Sequence, residues 1–249
     1  MARGRQFFVF FVVFIMAELI LPGVLFAGTI TDGFEGGAIN PFWTHVGPGS
    51  ATLNSSVVLA GTQSVALYES QSTPFYATLA HDFGIDQQGS LSVYLEGDSL
   101  GNIYRDGCCT AAALEIWDAN GSWLANVGQY ATSPPASVFN MRVRPGGQPP
   151  EVDSGDIAVA TGWHLLEMNV GPGGLSMGLD GSTLYTNASI TSFRTVILDA
   201  WGMPYPSGTA YFDNFSASTT DAVPEPSTGI LFGVAATGML GAWQIRRKR

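Results

Sequence analysis

The sequence predicts an all-β fold, a two-sheet sandwich of jelly-roll type, flanked by an N-terminal signal peptide and a C-terminal transmembrane helix. Three observations predict it. Residues 28–222 break into short runs rich in β-branched and aromatic residues, separated by Gly, Asn, Asp and Pro clusters, and none of them keeps a helical period. The runs number roughly a dozen with frequent turns, which points to a two-sheet sandwich of jelly-roll type. Both ends of the chain are long apolar stretches beside arginines, unlike the segment between them. Three parts follow: 1–27, 28–222 and 223–249.

Taken in order, 28–34 reads as a first strand. Residues 51–59 and 63–68 bracket Ala60-Gly61-Thr62, a hairpin-like connection. The strands 75–83 and 90–95 come next, the second with Leu91, Val93 and Leu95 on one face, since side chains alternate along a strand. Residues 111–117 and 122–129 flank Asp118-Ala119-Asn120-Gly121, where the Asn-Gly pair is a turn signal. After the strand 138–143, the Gly- and Pro-rich run 145–155 is expected to be an exposed loop. In the last third, 163–170 is apolar at Trp163, Leu165, Leu166, Met168 and Val170, with Trp163 expected in the core. A hairpin through Asp180-Gly181 joins 175–179 to 183–185, and 193–201 and 209–218 close the set.

The charge of the middle segment excludes one class of partner. Residues 28–222 hold eighteen acidic side chains against four basic ones, Arg105, Arg142, Arg144 and Arg194, with no lysine, a formal charge of −14. Such a field repels nucleic acid and anionic lipid. It suits an extracellular surface, a divalent cation or a neutral glycan.

Catalytic patterns are sparse along the sequence. His45, His81 and His164 lack metal-ligand spacing, and no Gly-x-Ser-x-Gly elbow occurs. Glu115 and Asp118 are three residues apart, so a strand would put them on opposite faces, and no cluster of acids at alternating positions accompanies them. The expectation is a protein that is not an enzyme. Cys108 and Cys109 are the only cysteines. In an oxidising compartment they form a vicinal disulfide or pair between chains.

The ends supply an address. Arg3 and Arg5 precede an apolar run to Phe26, and Leu25-Phe26-Ala27 offers a cleavage site after Ala27, although the run is also long enough to stay as an anchor. At the other end Val223, Pro224, Glu225 and Pro226 stop the fold, because proline can continue neither a helix nor a central strand. An uncharged stretch from Gly229 to Ile245 and the basic Arg246-Arg247-Lys248-Arg249 follow, a short membrane span with its positive end on the cytoplasmic side. These features in this order resemble the PEP-CTERM sorting signal of exported bacterial proteins. The resemblance implies an exosortase as processing partner, transient anchoring in the inner membrane, and delivery to the cell surface or an extracellular polysaccharide matrix.

A second resemblance covers most of 28–222. Asp32-Gly33-Phe34-Glu35, Gly61-Thr62-Gln63-Ser64, Gly162-Trp163-His164 leading to Asp180-Gly181, and Tyr211-Phe212-Asp213-Asn214-Phe215 are similar to concanavalin A-like and laminin G-like jelly rolls. That class implies a structural calcium between the first and last strands, and Asp32, Glu35 and Asp213 are the matching positions. Sugar binding needs an aromatic platform beside polar groups, and Trp117, Asp118, Asn120 and Trp123 around the Asn-Gly turn are the candidate ligand-binding residues. Trp43, Trp201, Tyr205, Asn126 and Tyr130 are further candidates. The expected function is an exported, non-catalytic glycan-binding module associated with exopolysaccharide. The alternatives are a structural or adhesive matrix protein, and a glycoside hydrolase.

Overall fold

The computed structural model describes residues 28–68, 76–97, 111–132, 136–144, 152–201 and 209–220, and every regular element among them is a β-strand. In chain order these are β1 (Gly28–Asp32), β2 (Thr44–Val46), β3 (Ser50–Asn54), β4 (Ser64–Tyr68), β5 (Tyr76–Gln87), β6 (Gly89–Glu96), β7 (Ala111–Trp117) and β8 (Trp123–Thr132). They continue with β9 (Ala136–Val143), β10 (Val152–Asp153), β11 (Trp163–Gly171), β12 (Gly174–Leu179), β13 (Ser182–Asn187), β14 (Phe193–Trp201) and β15 (Thr209–Thr219). One antiparallel sheet runs β13-β12-β11-β6-β15-β4-β3, with β1 also on β15; the other runs β10-β9-β8-β7-β14-β5-β2. The sandwich expected from the strand pattern is the one formed. Its apolar interior takes Leu91, Val93, Leu95, Leu166, Met168 and Phe212 from one sheet and Leu79, Leu114, Ile116, Val127, Phe139 and Leu198 from the other.

The edges carry two strands that the pattern did not announce. β2 pairs with β5 through His45↔Leu79, and β10 pairs with β9 through Asp153↔Arg142, inside the run expected to be loop. Both are very short and their side chains are exposed, so neither has the apolar alternation by which a strand is read. Along β11 the period of two decides burial. Leu166, Met168 and Val170 point inward, whereas Trp163 and Leu165 are only half-buried, which corrects the expected core position of Trp163. His164 takes the buried place instead. Its ring nitrogens lie 2.8 Å from Asp180 Oδ2 and 2.8 Å from Ala160 O.

The Asp180-Gly181 hairpin has left-handed backbone at both positions, φ 53° and 79°, as a two-residue hairpin turn matching the sheet twist requires. Asp180 also accepts the Leu165 N–H on Oδ1 at 2.9 Å, so one side chain ties the turn to β11. Asp180→Ala removes both links and leaves a Cβ without local hydrogen bonding in the left-handed region. A loss of about 2–3 kcal/mol is expected in denaturant unfolding, and Asp180→Gly, which restores only the backbone freedom, should recover about 1 kcal/mol of it.

Two bulges aim the important side chains. On β15 the register shifts between Asp213 and Ser216, with Asn214 at φ 50°. The shift lets Phe212 and Phe215, which a straight strand would turn to opposite faces, both reach the core. Between β7 and β8 the register shifts at Ile116/Trp117, so Trp117 faces Trp123 while Leu124 and Ala125 both turn inward. Further along this pair Gly128 faces Ala113, and a Cβ at Gly128 would come within 2.2 Å of Ala112 O and 2.6 Å of Ala113 Cα. Gly128→Ala would force the two backbones apart; its melting temperature should fall by several degrees, for a cost of about 1–3 kcal/mol.

Candidate functional site: a groove on the outer face of the seven-stranded sheet

Inward alternation fixes what the outer face shows. With Ala112, Leu114 and Ile116 in the core, β7 turns Ala111, Ala113, Glu115 and Trp117 outward. With Leu198 and Ala200 in the core, β14 turns Ile197, Asp199 and Trp201 to the same side. Register aligns these into rows across the sheet. One runs Thr78, Asp199, Ala113, Gly128, Asn140; the next runs Ala80, Ile197, Glu115, Asn126, Arg142. A groove of about 620 Å³ lies over this face, walled by Tyr76, Trp117, Trp123, Tyr130 and Trp201 and containing Glu115, Asn126, Arg142, Arg144, Thr78 and Asp199. That is the size and the mixed aromatic and polar character of a small-molecule or oligomer site.

Glu115 sits at its centre and is only 5 % exposed. Trp117 Nε1 donates to Glu115 Oε2 at 2.9 Å, and Asn126 Nδ2 donates to Oε1 at 3.2 Å. Burial pushes the Glu115 carboxyl above its ordinary range, and these two donors oppose the shift. Asp199 is the diagonal neighbour of Glu115 on β14, a spacing of about 7–8 Å in an antiparallel pair. Its Oδ1 accepts the Thr78 hydroxyl at 2.6 Å. Two carboxyl groups therefore share one face of the groove.

The other wall is cationic. The Arg142 guanidinium lies 3.8 Å from the Tyr130 ring centre, and that of Arg144 lies 4.9 Å from the Trp123 ring centre. Among the described residues Trp123 Nε1 and Asn126 Oδ1, buried in the groove, meet no hydrogen-bond partner, a donor and an acceptor still to be satisfied.

The four expected ligand-binding residues divide. Trp117 and Trp123 line the groove, set opposite one another in register by the β7–β8 bulge. Asp118 and Asn120 stay in the turn: Asp118 Oδ1 accepts the backbone N–H of Asn120 and of Ser122, both at 2.8 Å, and these donors hold its carboxyl below the ordinary range. Trp201, Asn126 and Tyr130 join the groove, whereas Trp43 is in the core and donates its Nε1 to Asp32 Oδ2 at 3.0 Å. His81 packs beneath Phe42, ring to ring at 3.7 Å, away from the groove. Tyr205, Cys108, Cys109 and Val223, Pro224, Glu225 and Pro226 lie outside the described residues. Asp199, Arg142 and Arg144 escaped the sequence reading, and only their outward places in the alternation of β14 and β9 could have signalled them.

The three positions matched to calcium do other work. Asp32 Oδ1 accepts the Phe34 N–H at 2.8 Å. Glu35 accepts the N–H and hydroxyl of Thr62 and the N–H of Gln63. Asp213 is fully buried and accepts the N–H groups of Leu59 and Ala60 on Oδ2 and of Asn214 on Oδ1. Among the described residues no three His, Cys, Asp or Glu side chains gather to hold a metal. Glu35 and Asp213 clasp the 59–63 loop to the two ends of the domain.

The C-terminal residues decide the address. The model of the PEP-CTERM protein-sorting motif matches residues 222–248. This chain carries a PEP-CTERM sorting signal. The motif indicates export with membrane-anchored sorting and implies processing by an exosortase at a membrane. Among the described residues, which exclude that segment, no helix is long and apolar enough to cross a membrane.

No curated protein matches the sequence. Solved structures match the fold. The endo-β-1,4-glucuronan lyase of the fungus Trichoderma reesei is 12 % identical over 80 % of this chain and 98 % of its own, with a TM-score of 0.51. The β-glucanase of Bacillus licheniformis is 10 % identical over 77 % of this chain and 98 % of its own, TM-score 0.54. The apo Crh5 transglycosylase is 13 % identical over 78 % of this chain and 85 % of its own, TM-score 0.55. Such identities establish a shared jelly-roll architecture. These three neighbours are nevertheless enzymes by name, which runs against the expectation of a domain that is not an enzyme and corrects it to one whose fold also serves enzymes. Glu115 and Asp118, three residues apart, do not share a face; the pair that does, Glu115 with Asp199, comes from two strands distant in sequence.

Proposed function

We propose that the PEP-CTERM-bearing protein is an exported polysaccharide-cleaving enzyme, delivered to the cell surface or its extracellular matrix, whose groove over β7, β8 and β14 holds a glycan chain. One observation carries the reading: a buried Glu115 with a raised pKa shares an aromatic-walled groove with a second carboxyl group, Asp199. Trp117, Trp123 and Trp201 offer flat apolar faces on which sugar rings stack. In glycoside hydrolysis one carboxylic acid protonates the leaving oxygen and another carboxylate acts at the opposite side of the bond. A carboxyl whose pKa burial raises suits the first role, so Glu115 is assigned as proton donor and Asp199 as the second carboxylate. The named activities of the structural neighbours, on glucan and glucuronan, agree with a glycan chain in this groove.

The test is depolymerisation of neutral and uronate-containing β-glucans by the full-length chain in detergent. New reducing ends measure cleavage of any kind, and ultraviolet absorbance of unsaturated uronate ends separates elimination from hydrolysis. No new ends from any glycan, at protein concentrations that saturate binding, would sink the proposal.

A further inference from the structure

We infer that the groove selects a glycan whose sugar rings carry carboxylates, with Arg142 and Arg144 as the residues that recognise them. The inference rests on reading the groove as a glycan site. Residues 28–222 contain four basic side chains in a segment of charge −14, and two of the four stand in this one groove. Of the others, Arg194 lies outside the groove beside Asp82, and Arg105 lies outside the described residues. Arg142 and Arg144 are two apart, Arg142 on β9 and Arg144 directly after it, where alternation sends both to one side at a spacing of about 6–7 Å. Two guanidinium groups on one side of a groove favour an anionic group on the ligand over a hydroxyl, because charge-assisted hydrogen bonds are about twice as strong as neutral ones.

The guanidinium groups are also oriented. Each lies over an aromatic ring, Arg142 over Tyr130 and Arg144 over Trp123, a contact that restrains the guanidinium before a ligand arrives. A fixed planar fork matches a carboxylate through two parallel N–H···O bonds, which a lysine cannot do. Trp123 Nε1, buried beside Arg144 without a partner among the described residues, adds a further donor on the same wall. Glu115 and Asp199 line the same groove, so the arginines also offset acids of the protein itself. That purely structural role predicts equal losses for every glycan on substitution, and selectivity separates the two.

The experiment titrates full-length protein in detergent with β-1,4-linked glucuronic acid oligomers and with β-1,4-glucose oligomers of equal length, by calorimetry. Wild type should bind the uronate oligomer roughly 10- to 100-fold more tightly, the worth of one or two charge-assisted contacts. Arg142→Gln with Arg144→Gln should remove that difference, weakening the uronate oligomer far more than the glucose oligomer. Arg144→Lys, which keeps charge but not the fork, should keep only part of it. If the neutral oligomer binds as tightly as the uronate in wild type, or if the variants weaken both alike, the inference is overturned while the groove remains a glycan site. Uronate bound selectively but never cut supports the inference and removes the cleavage reading. Binding of neither oligomer overturns both. The wild-type comparison needs no substitution, so a variant that fails to fold does not blunt the test.

Discussion

Glu115→Gln should lower glycan cleavage by about 10²–10⁴-fold while leaving glycan affinity within a few-fold of wild type, because the change removes a proton and little shape. Trp117 Nε1 and Asn126 Nδ2 both donate to this carboxyl, so the amide, with one acceptor oxygen, satisfies only one of them. That mismatch costs the same at every pH. The pH-dependent part has a definite sign. Burial raises the folded pKa of Glu115 above the ordinary value of 4.5, so the folded protein holds this proton more tightly than the unfolded chain does. The stability this contributes is complete below the ordinary value and is lost as pH rises through the raised one. The melting temperature of wild type, measured relative to Glu115→Gln, should therefore fall as pH is raised from about 4 toward neutrality. Cleavage by wild type should lose rate over the same upper window as the donor gives up its proton. A difference in melting temperature that does not change with pH would mean that Glu115 is not the perturbed group.

Asp213→Ala should give the largest loss of stability among single substitutions outside the apolar core. The side chain is fully buried and receives three backbone N–H groups, those of Leu59, Ala60 and Asn214. The alanine leaves these donors without an acceptor; relief of the carboxyl's own burial offsets part of the cost. A net loss of about 3 kcal/mol is expected, a fall in melting temperature on the order of 10 °C for a domain of this size. Glycan affinity should change little, since Asp213 lies on the other sheet from the groove. The same melts in calcium and in chelator report on the ion that the jelly-roll resemblance implies. A calcium-dependent rise in wild type that disappears in Asp213→Ala would mean that the ion takes these oxygens over from the N–H donors.

The local features were legible in the sequence because they are local. Alternation of Leu91, Val93 and Leu95 marks β6, Asp180-Gly181 marks a two-residue hairpin, and the apolar stretch between Pro-Glu-Pro and the basic end marks the sorting signal, all within a few residues of one another. Trp117 and Trp123 were legible for the same reason, standing on either side of one turn. What forms the site is not local. β14 lies between β5 and β7, and only that strand order sets Asp199 diagonal to Glu115 and beside Thr78. Strand order follows from how the apolar faces of the whole chain are covered, a property no window of sequence contains. The same holds for Asp213. The jelly-roll resemblance implies a metal ligand there, and only the folded chain brings to it the N–H groups of Leu59 and Ala60, 154 and 153 residues away, which make it a clasp.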